Sequence, residues 1–196
     1  MLYESPMKRF LLLLGSASSL VFVGCGSAPK KIPPATAAGE SFAESSRATA
    51  ELKNGKGKSL GSVELIKIED GVRVVGEIFG ISPGRHGFHV HQNYECKGPT
   101  FKTAGDHFNP KNHRHGLENP AGSHAGDLPN IVADTEGRAK VDVLLKEVSL
   151  ATDSSPNSLL AGMGTTLVIH AKADDQKTDP AGASGDRIAC GLITKE

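Results

Sequence analysis

The stretch Ser62 to Ile81, SVELIKIEDGVRVVGEIFGI, alternates apolar and polar residues with a period of two on both sides of Asp70-Gly71. A period of two is the geometry of a strand with one face on a core, and Asp-Gly between two such runs signals a tight hairpin. Val72, Val74 and Ile78 fall on one face, with Gly76 on the same side. Pro83-Gly84 marks another turn, KVDVLLKEV alternates again after the turn Asp134 to Gly137, and TTLVIHA and RIACGLIT close the chain as two further strands. Short strands at this spacing predict an all-β protein, an antiparallel sandwich or barrel. The 23 glycines and 11 prolines, with no tryptophan, favour the same turn-rich class over a helical bundle. Glu95 to Leu128 and Asp174 to Asp186 lack any periodicity and are dense in Gly, Pro, Asn, Asp and His. They read as long loops, which in a compact domain usually carry function.

The alternation starts only at about Ala48, so the domain is expected at 48–196. Ahead of it, MKRFLLLLGSASSLVFVGC starts at Met7 with Lys8 and Arg9, continues through an apolar run from Phe10 to Val23 and ends at Cys25. Basic start, short apolar run and small-residue ending are those of an export leader, and the run is short for a membrane span of roughly 20 residues. The Val-Gly-Cys ending resembles a bacterial lipoprotein signal, which implies cleavage of 1–25 and a lipid on Cys25. Residues 26–47, rich in Ser, Pro and small residues, read as a flexible tether. Without the leader the chain has 20 basic and 21 acidic residues, so no overall charge favours nucleic acid. The expected setting is the periplasm or cell surface, on a membrane through the lipid.

Three of the eight histidines fall in HGFHVH, His86 to His91. In an extended strand His86, Phe88 and Val90 share the core side, and His89 and His91 project together from the outer face as a pair of imidazoles suited to Zn or Cu. His86, on the core side, reads as a buried histidine satisfied by backbone. The following loop holds His107, His113, His115, His124 and Asp127; from His107 to Asp127 this is four histidines and an aspartate in 21 residues. Three neutral imidazoles and a carboxylate make a complete tetrahedral zinc set. His170 ends the apolar strand TTLVIH, far along the chain.

The stretches GFHVH, AGDHFNP, HAGDLPN, LVIHAKADD and GDRIACG, in this order and spacing, resemble copper/zinc superoxide dismutase over essentially Ala48 to Glu196. The resemblance implies a Greek-key fold with long metal-binding and electrostatic loops. It implies copper on His89, His91, His107 and His170, and zinc on His107, His115, His124 and Asp127, with His107 bridging the two. Asp174 matches the aspartate that orients one ligand of each metal, His89 and His115. Arg187 matches the guanidinium beside copper, and Cys96 with Cys190 the intrachain disulfide. His113 has no place in the pattern and reads as a solvated loop residue. The third cysteine, Cys25, is then left for the lipid. Members of the family pair as homodimers through different surfaces, and no diagnostic patch for one stands out in this sequence.

The implied reaction is dismutation of superoxide by copper cycling between Cu(II) and Cu(I), with the bridging His107 as proton relay. Arg187 attracts the small anion. Lys172 and Lys177 read first as ordinary solvated lysines. Asp106, directly before the bridge, and Asp186, directly before Arg187, depart from the family pattern and weaken the expected steering. The rival reading is a surface copper store of the same fold with little turnover, which needs neither an anion-guiding arginine nor the zinc half.

Overall fold

The computed structural model describes residues 46–196. The expected leader 1–25 with Cys25, and all but the last two residues of the expected tether, lie outside the described residues. Ten strands follow in chain order: β1 Arg47–Asn54, β2 Ser59–Ile68, β3 Gly71–Ile78, β4 Gly84–His86, β5 Phe88–His91, β6 Ile131–Ala133, β7 Ala139–Lys146, β8 Thr166–His170, β9 Arg187–Leu192 and β10 Thr194–Lys195. Their order in space is β4-β6-β7-β3-β2-β1-β9-β8-β5, with β10 beside β1, and every pair of these strands is antiparallel. The two end strands, β4 and β5, are separated in sequence by Gly87 alone, so the sheet curls into a nearly closed barrel. Consecutive strands are not neighbours at β3–β4, β5–β6 and β7–β8, the crossovers of a Greek key. The predicted all-β antiparallel class is what the chain adopts.

Alternation fixes which side of each strand is dry. Val72, Val74 and Ile78 are wholly buried, as their shared face predicts, and Leu52, Leu65, Phe88, Leu145, Leu167 and Ile169 pack into the same core. Each such side chain contributes about 1.5–3 kcal/mol by leaving water.

The hairpin turn is displaced by one residue from its sequence signal. Ile68 pairs with Gly71, so the two turn residues are Glu69 and Asp70, and Gly71 already belongs to β3. Its φ of 145° and a β-carbon that would stand 2.2 Å from the Leu145 carbonyl oxygen explain the glycine: β7 approaches too closely for any side chain. Strands β4, β6 and β10, of two or three residues, are too short to show a period.

Two loops cross one side of the barrel, residues 92–130 between β5 and β6 and residues 171–186 between β8 and β9. The first contains one 3-10 turn, Lys102–Ala104. It is tied to β9 by the disulfide Cys96–Cys190, whose Cα atoms are 5.7 Å apart across a sequence separation of 94.

Candidate metal centre

β5 places the first two histidines. Phe88 and Val90 enter the core, and His89 and His91 leave on the opposite face, as alternation demands. That face is not solvent-exposed, as an outer face would be: both imidazoles are wholly buried, because the two long loops close over them. The free edge of β5 is covered by chain rather than by another strand. Val90 N–H donates to the Gly126 carbonyl at 2.8 Å, Phe108 N–H to the Val90 carbonyl at 2.8 Å, and Gln92 N–H to the Asp106 carbonyl at 2.9 Å. Bridges His89 to Asp127 and His91 to His107 lie along the same edge. This pairing sets His107 and Asp127 beside the β5 histidines. On the other side β8 pairs with β5, and a register irregularity after Ile169 brings His170 to the cluster.

The hydrogen bonds assign the tautomers. His89 Nε2–H donates to Asp174 Oδ2 at 2.7 Å, His91 Nδ1–H to the Gly105 carbonyl at 2.9 Å, and His170 Nδ1–H to the Gly185 carbonyl at 3.1 Å. The remaining nitrogens are His89 Nδ1, His91 Nε2, His170 Nε2 and, from the loop, His107 Nε2. All four are buried with no hydrogen-bond partner. One ligand atom from each of these residues lies within 4.8 Å of the others. Each unpaired buried polar atom costs about 1–3 kcal/mol, so four lone pairs converging on one point fit a bound transition-metal ion. Four imidazole nitrogens suit copper.

A second set shares His107. Its Nδ1 lies 2.8 Å from Asp127 Oδ1, which is 3.0 Å from His115 Nδ1 and 3.3 Å from His124 Nδ1. The other oxygen, Asp127 Oδ2, accepts from the backbone N–H of Gly116 at 2.8 Å and of His124 at 3.0 Å, leaving Oδ1 for the cluster. These three imidazoles and one carboxylate also present ligand atoms within 4.8 Å of one another, and the donor types fit tetrahedral zinc. His107 thus faces one set through Nδ1 and the other through Nε2.

Asp174 joins the two. Its Oδ1 accepts from His115 Nε2–H at 3.0 Å while Oδ2 holds His89. The residue is itself clamped: Asn130 Nδ2 donates to its carbonyl at 2.8 Å, Asn130 Oδ1 accepts its N–H at 2.7 Å, and Gln176 N–H donates to Oδ1 at 2.6 Å. Sequence reasoning found Asp174 but missed Asn130, although HAGDLPN contains it; a partner 44 positions away leaves no local signal.

Titration follows the geometry. Burial depresses His89, His91, His107 and His170, His107 to about 4 and His170 to about 3, so these rings keep free lone pairs at neutral pH. Burial acts the same way on His115 but is outweighed by Asp127 and Asp174, which raise it to about 9. Burial would raise Asp127 and Asp174, yet the surrounding histidine and backbone donors hold both well below the carboxylate range. The carboxylates are therefore ionised and the four imidazoles with unpartnered nitrogens neutral.

His91, His107, His170 and Arg187 line a cleft of about 330 Å³. Larger recesses, of about 510 Å³ beside the disulfide and about 550 Å³ behind the 111–125 loop, do not expose the four unpartnered nitrogens. Arg187 is half-buried, its Nη1 donating to the Phe101 carbonyl at 2.8 Å and its Nη2 to the Gly105 carbonyl at 2.7 Å. Sequence reasoning did not foresee these two carbonyls. Phe101 turns its carbonyl inward from a left-handed backbone, φ 55°, with its ring buried. Half-burial pushes the Arg187 guanidinium down from its ordinary value, and the Asp106 charge acts in the opposite direction.

The other expectations resolve readily. His86 is buried and belongs to neither set; its Nδ1 meets the His170 carbonyl at 2.7 Å and its Nε2 the Ser82 carbonyl at 2.8 Å. A backbone carbonyl takes its ring N–H, and the Ser82 hydroxyl lies 3.3 Å from Nε2. His113 is exposed, with Nδ1 near the Ser123 carbonyl at 3.2 Å. Lys177 is exposed and paired with Glu118 at 2.9 Å.

A family model described as copper/zinc superoxide dismutase matches residues 59–193. Superoxide dismutase [Cu-Zn] 2 of Aquifex aeolicus is 48% identical over 154 residues, 78% of this chain and 90% of the relative. Among solved structures, a SOD-like protein from Bacillus subtilis aligns with a TM-score of 0.71 at 37% identity, over 74% of this chain and 97% of that one. The Cu/Zn superoxide dismutase from Brucella abortus aligns with a TM-score of 0.60 at 27% identity, over 75% of this chain and 99% of that one.

Proposed function

This chain belongs to the copper/zinc superoxide dismutase family, and on that premise we propose that it converts two superoxide ions and two protons into dioxygen and hydrogen peroxide in the cleft beside Arg187. The observation that carries this reading is the convergence of four buried, unpartnered imidazole nitrogens, three of them from residues that line an open cleft together with the anchored Arg187 cation. Copper is assigned to His89, His91, His107 and His170, and zinc to His107, His115, His124 and Asp127. When bound, copper supplies a one-electron couple and zinc a fixed charge without redox chemistry.

The protein's own groups do the rest. Arg187 offers a charge and a forked donor to an incoming diatomic anion, and its anchorage on two carbonyls keeps it beside the histidines. His107 lines the cleft, and its Nε2, left without a protein partner, is the atom that would hold and hand on a proton, with Nδ1 on the side of the Asp127 set, which would hold zinc. Asp174 orients His89 and His115, so neither ring can turn its lone pair away.

The test is superoxide decay followed by pulse radiolysis, with the protein loaded with copper and zinc. The expected result is decay far above that of buffer. Tight copper binding with decay no faster than buffer would instead support the copper store of the same fold.

The chain is further proposed to be exported and held on a bacterial membrane, at the periplasm or cell surface, by a lipid on Cys25. The leader and its Val-Gly-Cys ending support this, as does the disulfide, which belongs to an oxidising compartment. Mass spectrometry of the membrane-extracted protein should find an acylated Cys25 as first residue, and Cys25→Ala should release the protein from membranes. An unmodified protein starting elsewhere overturns the anchor.

A further inference from the structure

Two acidic residues sit next to the site in sequence, Asp106 before His107 and Asp186 before Arg187. The fold treats them differently. Both are exposed, but only Asp106 lines the cleft. Apart from the imidazoles, Asp106 and Arg187 are the two ionisable residues lining it; neither Lys172 nor Lys177 does.

Asp106 is also held in place. Its carbonyl accepts from Gln92 N–H at 2.9 Å. The carbonyl before it, that of Gly105, takes Arg187 Nη2 at 2.7 Å and His91 Nδ1 at 2.9 Å. The residue after it, His107, is bridged to His91. Among the described residues its carboxylate has no ion-pair or hydrogen-bond partner. An unpaired negative charge therefore stands at the mouth of the cleft on an anchored stretch of backbone, sharing the cleft with the Arg187 cation.

We propose that Asp106 is a charge-tuning residue of the cleft that partly cancels the attraction of Arg187, lowering the affinity of the cleft for every small monoanion. Abundant non-substrate anions are then less able to block the cleft, at the cost of slower substrate capture. This rests on reading the cleft as the place where superoxide enters. A unit charge within several ångströms, in a solvent-filled mouth, changes the local concentration of a monoanion by about two- to fivefold. The effect should fade as the Debye length falls from about 30 Å at about 0.01 M salt to about 3 Å at about 1 M.

The experiment compares the wild-type protein, loaded with copper and zinc, with Asp106→Asn, Asp106→Ser and Asp186→Asn. Azide, a linear monoanion, is titrated by the visible absorption of copper, and superoxide decay is measured at both salt concentrations. Both Asp106 variants should bind azide and consume superoxide about two- to fivefold better at low salt, with the gap closing at high salt. Asp186→Asn should stay near wild type. Unchanged azide affinity in both Asp106 variants, or an equal gain in Asp186→Asn, overturns the proposal. If no protein accelerates superoxide decay, the proposed activity falls, while the azide titration still decides the role of Asp106.

Discussion

Arg187 shows how one side chain serves two purposes. Its guanidinium donates to two carbonyls, those of Phe101 and Gly105, and lines the cleft from that anchorage. Replacing it by alanine removes its charge-assisted contact to the incoming anion, a contact of about 1.5–3 kcal/mol. Arg187→Ala should therefore lower superoxide turnover by about an order of magnitude or more, with copper and zinc contents unchanged by atomic absorption. Full activity in that variant would sink the role. At this scale the sequence was informative where chemistry is encoded in residue type: His89, His91, His107 and His170 form one set, and His107, His115, His124 and Asp127 the other. It was silent on the groups that position them, because Asn130 and the two carbonyls look like any loop residues until the chain has folded. The imidazole pair of β5 also came out buried, since alternation reports which face a residue takes but not what later covers that face.

Among the loops, the segment 171–186 works by close approach. Gly182 adopts φ 62°, and a β-carbon there would stand 1.6 Å from Asp174 Oδ1 and 2.8 Å from His115 Nε2. Gly182→Ala should displace the carboxylate that orients His89 and His115, and so imitate Asp174→Asn. Both variants should lose about 10- to 100-fold in metal affinity, measured by competition with a chelator. Gly57→Ala is the control: φ is 80° but nothing lies within 4 Å, so it should cost only about 1–2 kcal/mol of backbone strain and leave metal affinity alone. The strands themselves were legible from alternation wherever they exceed about five residues. The one-residue shift at the β2–β3 turn arose because Gly71 answers to its neighbour β7 across the sheet, a demand that Asp-Gly as a turn signal does not contain.

For the molecule as a whole, the barrel gives the loops something rigid to lie on, and the Cys96–Cys190 bridge fastens the first loop to β9, the strand that begins with Arg187. Closing a span of 94 positions is worth roughly 4–5 kcal/mol by the chain-entropy argument, an upper figure because native strain reduces it. Reduction should lower the denaturant midpoint accordingly, and it should cut turnover more than metal content, because the loop holding Phe101 loosens before the ligands do. A midpoint unmoved by reduction would overturn that contribution. No single window of sequence contains this architecture. His91 and Arg187 meet at one cleft only because β5, β8 and β9 are adjacent, a non-local order that the family resemblance supplied and residue patterning alone did not.

The covering of β5 has a consequence for the protein's behaviour without metal. Its outer edge is closed by segments 106–108 and 126–127, which belong to the same loop that carries His107, His115, His124 and Asp127. An uncovered strand edge is a template for another chain. Chelation should therefore expose the N–H groups of Val90 and Gln92 to hydrogen exchange before those of β2 and β3, and self-association should follow with protein concentration. Equal protection of the β5 edge with and without metal would argue against this. Copies of the chain lacking zinc would then differ from complete ones in more than activity, since they would carry an open strand edge on their surface.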